Sequence, residues 1–567
     1  MRENEVKKIS IGTSDFKQLR DEDLYYVDKS LFIKEILADT SRVVLLPRPR
    51  RFGKTLNMTM LRYFLEKALE AQKENFPNNS YLFKGLAIEQ EEEIMKYQSK
   101  YPVIYLTFKG VKQNNFKNAL ESIKRLLSNE YARHSYLLKD KKLTETAARE
   151  YKQIIKKEGN IIAYEESIKN LTAYLEKYYK EKVVVIIDEY DTPVHEAYVN
   201  GYYEEMISFM RSFLGAGLKD NSSLKKGVLT GIMLIAKESI FSDINNLGVY
   251  TLLKSEHNQS FGFTEAEVSK ILKDYELSER EEAVKTWYNG YIFGGEVIYN
   301  PWSILNYVNS KDKLLEPYWI NTSSNDVIKK YLASSTQEVK EKLERLIKGE
   351  SLKEVVMENV AFKDIENHGE LLWSFLLFSG YLKAEDRLLE NRKIYYKLSI
   401  PNEEVKHIYE QIIATWFEKT LSNVKANQML QAMLEGKEET FEELLNEFVI
   451  NIMSYYNLGE EAERVYQAFV LGMLVNLQGE YEVRSELESG YGRAEVLVIP
   501  QDKSKNGVVL EFKKQGRKRP KAVEVLLKEA LEQIEEKRYE EALKANGVNK
   551  VIKIVGHYHF AARCQAK

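Results

Sequence analysis

Cysteine is almost absent: Cys564 stands alone among 567 residues, which excludes an internal disulfide framework and any multi-cysteine zinc site. It also fits a reducing compartment, with the cytoplasm as the default expectation. Ten prolines and no Gly/Ser-rich stretch leave little room for disordered linkers. Long apolar runs are missing too. Residues 183–187 and 469–475 fall far short of the roughly 20 residues of a membrane span, and the opening MRENEVKKIS has no signal-like apolar core. A soluble chain that makes no use of a membrane is expected. Nor is one sign of charge in excess: Lys and Arg number 83 against 86 Asp and Glu, a net charge of -3, so nucleic-acid contact has to come from a local basic patch. What the chain does have is length, enough for two to four domains at roughly 150 residues each.

Three regions are expected, in an α/β multidomain fold. Residues 1–255 alternate β-rich runs (42–46, 103–108, 183–187, 228–233) with helical patterns, the mark of an α/β domain with a largely parallel sheet. Leu56, Met60 and Phe64 follow the i, i+4 spacing of a helix that starts where the first strand's loop ends. Residues 256–455 read as a mostly helical middle domain, its aromatic pairs Trp287-Tyr288, Pro301-Trp302 and Tyr318-Trp319 pointing to packing. Residues 456–567 read as a small αβββαβ domain, with a helix at 461–477, strands at 481–485, 494–499, 508–512 and 551–555, and a helix at 522–543.

The first strand leads into Pro47-Arg48-Pro49-Arg50-Arg51-Phe52-Gly53-Lys54-Thr55, whose end, Gly-Lys-Thr, is the second half of a Walker A loop. In such a loop consecutive backbone N–H groups, here from Arg50 through Thr55, and the positive helix end surround phosphate oxygens. Lys54 then reaches the β/γ-phosphates of ATP, and the Thr55 hydroxyl binds Mg²⁺. The strict pattern has glycine where this chain has Arg48. The run Val183 to Ile187, ending in Asp188-Glu189, has the form of a Walker B strand. Asp188 would hold Mg²⁺ and Glu189 would orient or deprotonate the attacking water. Thr230, at the tip of the next strand, is a candidate γ-phosphate sensor.

At these residues the chain resembles a bacterial and archaeal family that joins an AAA-ATPase-like N-terminal domain of the ASCE P-loop type to a C-terminal PD-(D/E)XK nuclease-like domain. The blocks that carry the resemblance are Ile11 to Phe16, Tyr26-Val27-Asp28-Lys29, Arg48 to Thr55, Ile187 to Pro193, Ile240-Phe241-Ser242, Asn245-Asn246-Leu247, Trp287 to Tyr291 and Tyr299 to Trp302. The resemblance implies that Arg48 is the family's own form of the loop, although Pro49 removes one N–H from the cradle. It also implies that Asp28 and Lys29 lie near the nucleotide. Leu234 stands where relatives often carry an arginine, which implies slow hydrolysis or nucleotide binding used as a switch. Arg211 is a candidate for an arginine acting in trans, and no oligomeric state can be read from the chain.

Near the C-terminus, Glu511 and Lys513 are two apart on a strand and so share a face. Acids gathered at strand ends hold Mg²⁺ or Mn²⁺ against a phosphodiester while a lysine positions water, the chemistry of PD-(D/E)XK nucleases. Glu495 supplies the upstream acid and Glu463 another, and Gln533 resembles the glutamine of many such nucleases. Ser489 to Arg493 resembles the family's loop before the first acid. The family usually has aspartate where Glu495 stands, and a displacement of about 1 Å can cost on the order of a hundredfold in rate. The basic segment from Lys513 to Lys521 is a candidate track for a DNA backbone. His557, His559 and Cys564 are read as structural. Three readings follow: ATP-regulated, metal-dependent DNA processing, in a mobile-element or defence context implied by the family; a nucleotide-switched binding or scaffold protein with an inactive nuclease domain; or a stand-alone ATPase whose C-terminal domain recruits a protein partner.

Overall fold

The computed structural model describes residues 6–67, 79–139, 143–219, 221–234, 247–319, 337–347, 349–358, 369–409, 423–453, 480–489, 492–514, 523–536 and 540–558. The chain divides into two compact units, Met1–Val327 with Gly349–Lys406, and Ile328–Lys348 with His407–Lys567.

The first unit is built on five parallel strands: β1 (Val43–Pro47), β2 (Val103–Thr107), β3 (Val183–Asp188), β4 (Leu224–Gly231) and β5 (Leu247–Val249), in the order β2-β3-β4-β1-β5. β1 and β3 are buried at every position, which is why they read as unbroken Val/Ile/Leu runs. Helices Lys54–Leu65, Phe116–Arg133, Ser167–Tyr179 and Tyr203–Leu218 lie in the connections between β1 and β4. Parallel strands put all their carboxyl ends on one edge of the sheet, where ligands of such sheets bind. One strand, β4, separates the strand that feeds the loop from the strand that carries the acids, as the ASCE-type arrangement requires.

A buried ion network ties the helices to the start of β2. Arg133 Nε and Nη2 donate to Glu130 at 3.0 and 2.5 Å, and Nη2 donates to the Val103 carbonyl at 2.6 Å. Its Nη1 donates to Glu66, which also accepts from Arg62 Nε at 3.2 Å. Glu130 further accepts the Tyr105 N–H at 3.0 Å. Arg133 holds Glu130 and Glu66 below the usual carboxylate range despite their burial.

The stretch 256–455, expected to be mostly helical, also contains two three-stranded antiparallel sheets. β6 (Phe263–Thr264), β7 (Tyr291–Phe293) and β8 (Glu296–Tyr299) form one, in the order β6-β8-β7. β9 (Leu352–Val355), β10 (Lys383–Glu390) and β11 (Lys393–Ser399) form the other, in the order β10-β11-β9. These strands are short or solvent-facing and highly charged, so they lack the apolar alternation that announces a strand. The β10–β11 turn places Asn391 and Arg392 both at positive φ, the backbone that closes a two-residue hairpin with the correct twist. A core of Val268, Ile271, Leu272, Val284, Tyr288, Ile304 and Tyr307 fills the region, with Ile9, Tyr25 and Val27 packed against it.

The second unit carries a mixed sheet, β12 (Tyr481–Ser489), β13 (Gly492–Pro500), β14 (Gly507–Lys514) and β15 (Val551–Tyr558), in that order. The first three strands are antiparallel, and β15 returns parallel to β14. Helix Val523–Glu536 lies in that crossover, burying Ala530 and Ile534 against Leu497, Ile499, Val509 and Val555. Helix Asn423–Glu435 belongs to the same unit: the Asn506 amide donates to the Leu434 carbonyl at 2.8 Å, and Gly436 lies against Ile552.

Candidate functional site

β1 ends at Pro47, and the loop that follows turns into helix Lys54–Leu65 through Gly53, whose φ of 83° is the left-handed backbone that favours glycine. The first N–H groups of a helix have no intrahelical acceptor and point at whatever lies beyond its end. Lys54 is only 4% exposed, and its ammonium donates back to the carbonyls of Arg48 and Pro49 at 3.1 and 3.0 Å. Burial pushes its pKa down, and the nearby carboxylates Glu189, Asp191 and Asp188 oppose that shift. A buried ammonium whose donors meet neutral carbonyls can exchange them for the stronger bonds that an anionic oxygen offers.

Arg48 does not face the cradle. Its fully buried guanidinium donates to the carbonyls of Pro47 (2.8 Å), Tyr250 (2.6 Å) and His257 (3.1 Å), and lies over the rings of Phe261 and Phe293. Burial lowers its pKa to about 9. Where the strict motif has glycine, this chain has a clamp that fixes the loop's entrance to residues 250–261.

The acids stand where the carboxyl ends of the strands meet. Asp188 closes β3, and three hydroxyls hold its carboxylate: Thr55 at 2.9 Å, Thr107 from the end of β2 at 3.1 Å, and Thr230 from β4 at 2.8 Å. Burial pushes the Asp188 carboxyl up and Glu189 adds to this, while Thr230, Thr55 and Lys54 pull it back. One carboxylate and one hydroxyl at this spacing suit Mg²⁺, which takes few protein oxygens and fills the rest of its shell with water and phosphate. Glu189 has φ 51°, rare for a residue with a Cβ, and accepts from the Thr192 hydroxyl at 3.3 Å. The Asp191 carboxylate accepts the N–H groups of Ile232 and Met233 at 2.7 and 3.0 Å, pinning the chain just beyond β4.

Residues from the middle of the sequence line the outside of the loop. The Phe52 carbonyl accepts the Gly262 N–H at 3.1 Å, and the Phe52 ring packs against Tyr291 and Phe293 with centroids 5.0 and 5.2 Å away. The Arg51 guanidinium lies 3.9 Å over the Trp302 ring, and the Trp319 indole donates to the Arg50 carbonyl at 3.2 Å. Asn300 caps helix Pro301–Asn309, placing Trp302. Asp28 and Lys29, expected near the nucleotide, have other partners: Asp28 accepts the N–H groups of Ser30 and Ala87, and Lys29 pairs with Glu267 at 2.7 Å. Arg211 is exposed on helix Tyr203–Leu218.

Of the residues expected at the second site, Glu511 and Lys513 lie on β14, Glu495 on β13 and Gln533 on helix Val523–Glu536. Glu511 is 2% exposed, and its backbone pairs with Val555. Val496 pairs with Leu510, and continuing this register by one residue sets position 495 against position 511. In the backbone register Lys513 stands opposite His557. Glu463, residues 515–521 of the basic segment, His559 and Cys564 lie outside the described residues. Among the described residues no three His, Cys, Asp or Glu side chains cluster closely enough to hold a metal.

Thr107 and the two tryptophans are contributors that the motifs do not reveal. For Thr107 a signal exists, because a polar residue ending a second parallel strand must lie on the same edge as Asp188.

These features define a P-loop nucleotide-binding fold followed by a small mixed-sheet nuclease-like fold. Residues 10–241 match the family model described as "Predicted AAA-ATPase", and residues 461–563 match that of the PD-(D/E)XK nuclease superfamily. The chain thus carries an AAA-ATPase-like domain and a PD-(D/E)XK nuclease superfamily domain. It is also similar to an "Uncharacterized protein in vnfD 5'region" of Azotobacter chroococcum mcd 1, 25% identical over 550 residues, covering 95% of this chain and 94% of that protein.

Proposed function

We propose that this protein binds and hydrolyses ATP at the Arg50–Thr55 loop and uses the nucleotide to regulate metal-dependent DNA cleavage by its C-terminal domain. The observation that carries the reading is the Thr55–Asp188 pair at 2.9 Å beside the buried Lys54. Lys54 neutralises phosphate charge, Thr55 and Asp188 supply the oxygens for Mg²⁺, Glu189 orients the attacking water, and Thr230 reports on the γ-phosphate through Asp188. In the C-terminal domain Glu495, Glu511 and Glu463 are the metal-binding acids, Lys513 positions water, and Gln533 supports it. Mg²⁺ or Mn²⁺ there polarises the phosphodiester and lowers the pKa of bound water. The basic segment 513–521 tracks the DNA backbone, and the protein acts in the cytoplasm.

The test is cleavage of single- and double-stranded DNA with Mg²⁺ or Mn²⁺, with and without ATP, by the full chain and by Lys513→Ala. Cutting that falls by about a hundredfold or more in the variant while DNA binding persists upholds the reading. Glu495, in place of the family's aspartate, favours a second one, a nucleotide-switched DNA-binding protein without cleavage. That reading predicts binding with no cutting in either protein.

A further inference from the structure

Behind the phosphate loop lies a carboxylate that the nucleotide motifs do not use. Glu404 is fully buried, at 0% exposed. It accepts the Trp319 backbone N–H at 2.7 Å, and the Ser303 hydroxyl at 3.0 and 2.8 Å from its two oxygens. Burial pushes its pKa up to about 7 against the pull of these two donors. Held by neutral donors alone, a buried carboxylate is costly compared with an apolar side chain of similar size, which marks it for a role other than bulk stability.

Both donors lead to the loop. Trp319, gripped through its main chain, sends its indole N–H to the Arg50 carbonyl at 3.2 Å. Ser303 is the neighbour of Trp302, whose ring lies 3.9 Å from the Arg51 guanidinium. Arg51 itself sits at φ 69°, a backbone that an L-residue keeps only where its surroundings over-determine it. Two consecutive loop residues are therefore held by two tryptophans whose supports converge on one carboxyl group.

We propose that Glu404 is the positioning residue of the phosphate loop: by fixing Trp319 and Ser303 it sets the two indole rings that hold Arg50 and Arg51, and hence the path of the backbone that receives phosphate. Its functional meaning rests on reading residues 47–55 as a nucleotide loop; its structural meaning does not. Trp319→Phe removes the indole donor while keeping a ring and leaving the Glu404 bonds intact. Glu404→Ala removes both anchors. Glu404→Gln keeps an acceptor for the Trp319 N–H and offers an amide to Ser303.

Hydrogen exchange of the peptide spanning residues 48–55, measured on the full chain without nucleotide and referenced to peptides from β12–β15, tests the proposal. ATP·Mg²⁺ affinity is measured in parallel, with Lys54→Ala as control. Exchange about tenfold faster in Trp319→Phe and Glu404→Ala, and within about twofold of wild type in Glu404→Gln, is expected. Affinity should fall about fivefold or more in the first two variants. Unchanged loop exchange in Glu404→Ala overturns the proposal, whatever Trp319→Phe shows. If Glu404→Ala does not fold, Ser303→Ala, which removes one of the two donors held by Glu404, decides in its place by the same readout. Loop exchange that responds while the wild type binds nucleotide no better than Lys54→Ala upholds the positioning role and overturns the nucleotide reading instead.

Discussion

The candidate nucleotide site of the first unit takes its partners from β2, β3, β4, residues 250–262 and both tryptophans, whereas the nuclease-like sheet is assembled from one run, Tyr481 to Tyr558. In the first case each distant segment contributes one or two bonds, so the site is only as ordered as the whole unit around it. In the second the candidate acids Glu495 and Glu511 ride on adjacent strands, and the relative placement of their backbones follows from the register. Dispersed support fixes the path of a loop that has Arg48 where the strict motif has glycine. Contiguous support fixes backbone positions and leaves side-chain length to the residue, so under the proposed function Glu495 in place of aspartate matters there.

The largest effect that separates the two regions belongs to Arg133→Ala. It takes the shared cation from the buried Glu130 and Glu66, leaving Arg62 beside Glu66 and the Tyr105 N–H at Glu130, and the first unit should lose about 3 kcal/mol while exchange protection of β12–β15 stays at its wild-type level. Loss of protection in both would mean that the units do not respond separately. Next comes Lys54→Ala, which should weaken ATP·Mg²⁺ binding about a hundredfold or more by titration calorimetry yet leave nucleotide-free DNA cleavage where it was.

Glu404→Gln sharpens the contrast through pH. The folded pKa of Glu404 is raised from 4.5 to about 7, so the neutral acid is the form the fold favours. Its contribution is complete below about pH 4.5 and is lost as pH rises through 7, a swing on the order of 3 kcal/mol. Chemical denaturation of the first unit from pH 4.5 to 8 should show that slope in the wild type and a flatter profile in Glu404→Gln. The smallest effect is expected of Arg48→Gly, which restores the strict glycine pattern but leaves the carbonyls of Pro47, Tyr250 and His257 without their donor. Nucleotide affinity should fall by about tenfold; an increase would show that the clamp hinders binding.

Much of this was legible in the residues. Val43 to Leu46 and Val183 to Ile187 announce buried parallel strands, and once these are parallel, Thr55, Asp188 and Thr230 have to meet on one edge. β5 was not legible, because three residues with a central Gly248 carry no periodicity. The hairpin strands β10 and β11 were missed since their exposed charged residues read equally well as a helix surface. That helix Asn423–Glu435 belongs to the same unit as the nuclease-like sheet was hidden for another reason: an amphipathic helix declares that it has a partner and not which one. Arg48 was read as the family's form of the loop, but its direction was not in the sequence, since only the fold decides whether a guanidinium reaches toward a ligand or into the protein. Glu404 left no signal at all, being one of two adjacent acids, Glu403 and Glu404, in a polar helical run.

The position of the loop's fixings along the chain also bears on its synthesis. The match to the AAA-ATPase-like model ends at residue 241, whereas the groups that shape the loop come from Tyr250, His257, Gly262, Tyr291, Trp302 and Trp319. As the chain emerges from the ribosome, the candidate nucleotide residues, from Lys54 to Thr230, all precede the groups at 250–319 that fix the outside of the loop. The nascent protein therefore passes through an interval in which it carries Lys54, Thr55 and Asp188 but lacks the groups at 250–319 that contact the loop in the folded form.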